Sequence, residues 1–133
     1  MQAKYARAED SLKSGEAMTK VTIYHNPRCS KSRETLQLLR DHGIEPTIIE
    51  YLKEPPSPTR IKQLLKMLNM HPRDLMRRKD ADYRAMNLDD SSLDSEALIN
   101  AMSEHPVLIE RPIVVTENKA ALGRPPEKVL EIL

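Results

Sequence analysis

The sequence predicts an α/β fold: a small mixed sheet with helices on both faces and an inserted helical segment around residues 70–104. Three observations predict it. A β-rich run, Val21-Thr-Ile-Tyr24, passes through a tight turn directly into a helical pattern, and a second strand and helix follow. That order implies a right-handed crossover to a parallel neighbour. Two short β-rich runs near the end, Ile113-Val-Val115 and Ala120-Ala-Leu122, are close enough in sequence to pair as an antiparallel hairpin.

Each element has a local reason. Val21–Tyr24 is rich in β-formers and ends at His25-Asn-Pro-Arg, where Pro27 stops the strand. Ser30–His42 places Leu36, Leu38 and Leu39 near one face and then meets Gly43, a natural residue just past a helix end. Thr47-Ile-Ile-Glu-Tyr-Leu52 is the next strand, closed by Pro55, Pro56 and Pro58. With Ser57 as N-cap and Pro58 in the first turn, Ile61, Leu64, Leu65 and Leu68 keep helical spacing. His71–Arg78 and Asp80–Met86 read as short helices or turns, and Asp94–Glu104 as a longer helix with Leu98, Ala101 and Met102 inward. Gly123-Arg-Pro-Pro opens a last helix through Val129 and Ile132.

Residues 1–20 are polar and mixed in charge without a strong period, so they read as a tail or an upstream start, with a short amphipathic helix as the competing reading. Residues 21–133 then make one domain, for which 133 residues suffice to bury roughly two-thirds of the unfolded surface. The 21 Lys and Arg residues nearly balance 20 Asp and Glu, which argues against a basic nucleic-acid scaffold. With no Phe or Trp there are few faces on which to stack bases, so no nucleic-acid partner is expected. No apolar run approaches the ~18 residues of a membrane span, and residues 1–20 lack a signal-peptide core. One cysteine, Cys29, allows neither an internal disulfide nor a cysteine-based zinc site, and a lone thiol is ordinary in a reducing cytoplasm.

Cys29 falls where a strand has ended and a helix begins, where backbone N–H groups and the helix dipole favour an anion such as a thiolate. Cations nearby lower a cysteine pKa further. Arg28 adjoins the thiol, Arg33 lies one helical turn on, Lys31 adds charge, and His25 stands four residues before. A lone cysteine is usually a small buried apolar residue, but these polar flanks favour the reactive reading. His25 supports the thiolate or caps the strand, with the two readings nearly even. Asn26 and Ser30 are thiolate donors or ordinary turn and cap residues. Ser32 occupies the position of a resolving cysteine in dithiol oxidoreductases, so an oxidised Cys29 needs a thiol from another molecule. An electropositive site around a nucleophilic sulfur suits an oxyanion, for which arginine is the better ligand. The candidates beyond Arg33 are Arg77, Arg78, Arg111 and Arg124, each taken singly an ordinary surface charge. Arg111 stands out because Arg111-Pro112 at the start of a strand is a candidate for a locked, cis turn. Arg124 stands before Pro125-Pro126 at a helix N-terminus.

His25-Asn-Pro-Arg-Cys29-Ser-Lys-Ser-Arg33, with a strand before and a helix after, closely resembles the HX3CX3R signature of the glutaredoxin-coupled arsenate reductases of the ArsC type, whose fold is thioredoxin-like and three-layered. The likeness continues through Glu45-Pro-Thr-Ile-Ile49, Pro55-Pro56-Ser57, Leu75-Met-Arg77-Arg-Lys79, His105-Pro106, Arg111-Pro-Ile-Val-Val115 and Arg124-Pro125, covering Val21 to Leu133. The resemblance implies that Cys29 is the nucleophile attacking arsenate, that His25 and Arg33 support its thiolate, and that Arg77, Arg111 and Arg124 hold the oxyanion. It also implies that Pro112 is the structural cis-proline of thioredoxin-like sites. Electrons would come from glutathione as co-substrate and from glutaredoxin, with no metal and no bound cofactor. Arg28 and Lys31 depart from the pattern by adding charge where many relatives have smaller or neutral residues. Two rivals share the scaffold: a redox-responsive regulator like the Spx proteins, against which Ser32 in place of a second cysteine counts, and a glutathione-dependent thiol reductase not acting on arsenic, against which the full arginine set counts.

Overall fold

The computed structural model describes residues 20–133, so the expectation for residues 1–20 lies, but for Lys20, outside the described residues. The described chain forms two compact units, residues 20–49 with 111–133, and residues 50–110. No helix among the described residues is long and apolar enough to cross a membrane.

The first unit holds β1 (Thr22–His25), α1 (Ser30–Asp41), β2 (Thr47–Glu50), β3 (Ile113–Val115), β4 (Ala120–Leu122) and a closing 3-10 helix, Pro126–Ile132. The strands form a mixed sheet in the order β2-β1-β3-β4. β1 and β3 are antiparallel with Ile23 opposite Val114, and β3 and β4 are antiparallel with Val114 opposite Ala121. Because side chains alternate along a strand, Ile23, Val114 and Ala121 form one row. They meet Leu39 and Leu36 from α1 and Val129 and Ile132 from the closing helix in a single apolar cluster. On the opposite face Tyr24, Ile113 and Val115 are buried as well.

The end of α1 explains its length. Gly43 adopts φ +77°, its N–H donates to Arg40 O (3.0 Å), and the Ile44 N–H donates to Leu39 O (2.9 Å). These are the two hydrogen bonds of a Schellman motif, and Ile44 completes it by packing on the cluster that contains Leu39. A single glycine thus ends the helix and returns the chain to β2. The closing segment is helical as expected but winds as a 3-10 helix. Its apolar residues Val129 and Ile132 are three apart, a spacing that 3-10 winding keeps on one side.

The second unit is helical: α2 (Pro58–Leu68), a 3-10 turn at Pro72–Leu75, α3 (Ala81–Ala85), α4 (Ser95–Glu104) and a 3-10 turn at Pro106–Leu108. Ser57 caps α2 by accepting the Arg60 N–H at 3.1 Å, and Asn69 ends it with φ 56°. Ile61, Leu64, Leu65, Leu75, Leu98, Met102 and Leu108 are buried in this unit, so the inserted helical segment has an apolar interior.

Candidate active site

β1 ends at His25, and residues 26–29 make a tight turn into α1. Pro27 has no N–H to extend the strand, and the turn closes when the Cys29 N–H donates to Asn26 O (3.0 Å) and the Arg28 N–H to Asn26 Oδ1 (3.0 Å). Asn26 is therefore a turn residue. Cys29 has extended backbone angles, φ −94° and ψ 124°, and stands as the N-cap of α1. The helix start thus places free N–H groups beside the sulfur.

Cys29 keeps 9% of its surface exposed, which shelters the residue without closing it off. Burial pushes the thiol pKa up. It is outweighed by the Ser32 backbone N–H, by a hydrogen bond and the positive charge of the Arg111 guanidinium, and by the Lys31 backbone N–H, so the thiol ionises more readily than a free one. The helix contribution anticipated from sequence is thus carried by two named amides. Lys31 acts through its backbone, while its ammonium pairs with Glu34 at 3.6 Å.

Arg33, expected one turn along from the thiol, turns back instead: its Nη1 donates to Pro27 O at 2.9 Å and braces the loop. A cation that acts on the sulfur is Arg111, well over half the chain away in sequence. His25 is buried, and its Nδ1 lies 2.6 Å from Ser32 Oγ, which also accepts the Asn26 N–H at 3.0 Å. Ser32 is fully buried. Sequence reasoning weighed Ser32 only for the cysteine it is not; its place three residues after an N-cap was the available signal for more.

Both Arg111-Pro112 and Arg124-Pro125 are cis, the first at the position anticipated and the second not anticipated. Arg124 donates its Nε–H to Arg111 O at 2.9 Å. Within the first unit the fold therefore brings Arg111 to Cys29 and ties Arg124 to Arg111. Arg111 Nε, with one N–H, and Nη1, with two, are buried and lack a hydrogen-bond partner among the described residues. Buried donors of this kind are rarely left unmatched. Arg77 belongs to the helical unit, where Nη1 contacts Asp80 Oδ2 at 3.0 Å and Val107 O at 3.5 Å. Arg78 there pairs with Asp74 at 3.1 Å. Among the described residues no group of three or more His, Cys, Asp or Glu could hold a metal ion.

The model of the ArsC family matches residues 24–132. The uncharacterized protein YfgD of Escherichia coli K12 is 58% identical over 118 residues, covering 87% of this chain and 99% of the relative. An arsenate reductase of Haemophilus influenzae is 52% identical over 114 residues, covering 85% of this chain and 98% of the relative. Among solved structures, an arsenate reductase from Vibrio cholerae superposes with a TM-score of 0.86 at 53% identity, over 88% of this chain and 100% of the other.

Proposed function

Since the chain belongs to the ArsC family, we propose that it reduces arsenate to arsenite, with the Cys29 thiolate as nucleophile and electrons drawn from glutathione and glutaredoxin. The observation that carries this reading is Arg111, a cation beside a thiol of lowered pKa with buried N–H donors unmatched among the described residues. An oxyanion offers acceptor oxygens for those donors and, at its centre, an electrophile for the sulfur. The relatives named arsenate reductase agree with this substrate.

In this reading Arg111 and Arg124 receive the arsenate oxygens, and Cys29 attacks arsenic in line with a departing oxygen, which leaves as water. Orientation and neutralisation of the anion lower the barrier to that step. Overall, two thiols give up two electrons and become one disulfide while arsenic(V) becomes arsenic(III). Cys29 is the sole cysteine, so the second thiol comes from glutathione, and glutaredoxin clears the mixed disulfide. The reaction draws on no metal or bound cofactor and runs in a reducing cytoplasm. His25 and Arg33 support the nucleophile loop, and the resemblance adds Arg77 as a third oxyanion ligand. Phosphate matches arsenate in shape and charge, so discrimination lies in the sulfur–arsenic step.

The test is arsenite production from arsenate with glutathione and glutaredoxin. The parent is expected to turn over, Cys29→Ser to be inactive, and omission of glutathione to stop the reaction. Equal rates for parent and Cys29→Ser would refute the nucleophile assignment. Arg77→Ala is expected to raise KM for arsenate, and an unchanged KM removes Arg77 from the site.

A further inference from the structure

Gly123 is buried, and its φ lies outside the left-handed region, where Gly43 alone of the two described glycines stands. Its backbone is therefore open to other residues, and glycine is needed here for space. A Cβ on Gly123 would meet two segments at once: Thr35 of α1, at Oγ1 and at Cγ2 3.1 Å away, and Pro112, whose Cγ would be 2.8 Å away. Thr35 has little room to yield. It is 0% exposed, and its Oγ1 donates to Lys31 O at 2.8 Å, which fixes the rotamer. The same stretch holds the Arg111-Pro112 backbone, since the Gly123 N–H donates to Pro112 O at 3.0 Å and the Arg124 Nε–H to Arg111 O at 2.9 Å. Residues 123–124 thus lie against the nucleophile helix and carry the loop whose guanidinium bonds to the Cys29 sulfur.

We propose that Gly123 is a positioning residue of the site: its bare Cα lets α1 and the Arg111-Pro112 loop close to the distance at which the Arg111 guanidinium reaches the Cys29 sulfur. Nonbonded carbon atoms rest about 3.5–4.0 Å apart, so a methyl group 2.8 Å from Pro112 Cγ must drive loop and helix apart by roughly 1 Å. That displacement falls on the Arg111–Cys29 contact, because Pro112 follows Arg111 directly and Thr35 stands on the helix that Cys29 caps. An error of about 1 Å among oriented groups is enough to cost on the order of a hundredfold in rate. Gly123 acts on the sulfur through the placement of Arg111. The inference rests on the reading of Cys29 as nucleophile with Arg111 as its cation, but its test uses no arsenate.

The test is the pH profile of Cys29 alkylation by iodoacetamide on the full chain, with folding checked by circular dichroism. In Gly123→Ala the midpoint is expected to move upward, as in Arg111→Ala, and the rate at pH 5.5 to fall about threefold, because the loss of thiolate outweighs the greater reactivity of each. Leu39→Ala, which removes buried packing elsewhere on α1, is expected to keep the parent's midpoint. In Thr35→Ala, which clears Oγ1 and Cγ2, adding Gly123→Ala is expected to move the midpoint much less than it does in the parent. A folded Gly123→Ala with the parent's midpoint, an equal shift in Leu39→Ala, or the same shift with and without the Thr35 side chain overturns the proposal. Should Gly123→Ala fail to fold, Thr35→Ile brings bulk to the same contact from the helix, and a parental midpoint there overturns it equally. An unshifted Gly123→Ala beside a parent that makes arsenite sinks the role of Gly123 and leaves the activity; a shifted midpoint beside a parent that makes none does the reverse.

Discussion

Arg124 donates its Nε–H to the carbonyl oxygen of Arg111 across 2.9 Å, so one proposed oxyanion ligand holds the backbone of the other. That bond uses the one N–H on the stem side of the guanidinium and keeps the N–H groups of the two terminal nitrogens as a separate set of donors. Lysine cannot divide its donors in this way. Arg124→Lys keeps the charge but is expected to weaken anion binding about tenfold, the loss of one charge-assisted hydrogen bond. Protection of Cys29 from iodoacetamide by added phosphate measures it. Undiminished protection would mean that charge alone matters at this position.

The pH dependence follows from the Cys29 thiol. Its pKa is depressed in the folded chain, because Ser32, Arg111 and Lys31 together outweigh burial. Alkylation is therefore expected to reach half its plateau below the pH of a free thiol, and Arg111→Ala to move that midpoint upward. The same depression makes a stability statement. The contribution is fully present above the unfolded thiol's pKa and is lost as pH falls through the lower, folded value. Urea unfolding of parent and Cys29→Ser is expected to favour the parent increasingly from pH 6 to pH 9.5; a constant difference would mean that the fold does not act on the thiol.

Two glycines separate crowding from backbone conformation. A Cβ on Gly123 would run into Thr35 Oγ1 and come within 2.8 Å of Pro112 Cγ, and Thr35 is held by its own bond to Lys31 O at 2.8 Å. Gly123→Ala is expected to lose ~1–3 kcal/mol by overpacking. Gly43 meets nothing within 4 Å, but its φ is +77°. Gly43→Ala is expected to lose about 1 kcal/mol through that angle alone. Denaturant melts of the two variants check both. A Gly123→Ala chain as stable as the parent would mean that α1 and the Pro112 loop move apart freely.

The legible part of this molecule was whatever neighbouring residues decide. Pro27 and Gly43 bracket α1, Ser57-Pro58 starts α2, and Arg111-Pro112 marked a cis turn; each is a local constraint, and each was readable. The winding of the last helix was not, because apolar residues three apart serve an α-helix and a 3-10 helix alike. The site split along the same line. Cys29 at a helix start is a local fact, whereas the helical spacing that put Arg33 on the thiol's face said nothing about the Pro27 carbonyl competing for its guanidinium. The union of Arg111 with Cys29 depends on β1 pairing with β3 and is written in no short window of sequence, whereas Ser32 meets a histidine only seven residues away.

The apolar row, more than its ion pairs, should carry the stability of the first unit. Leu39 is fully buried among Val21, Ile23, Val114 and Val129, whereas its neighbour Arg40 makes a two-pronged contact with Glu45 at 2.9 Å on the surface. Geometry alone would rank the arginine pair highly. Water and salt screen it, since 43% of the Arg40 side chain and 63% of the Glu45 side chain are exposed. Leu39→Ala removes buried methyl groups and leaves a cavity that strands on one side and a helix backbone on the other cannot fill, so it is expected to lose ~2–5 kcal/mol. Arg40→Ala is expected to lose less than about 1 kcal/mol. Urea midpoints at constant slope measure the two losses, and a larger loss for Arg40→Ala would reverse the ranking and make the ion pair the clamp between α1 and the approach to β2.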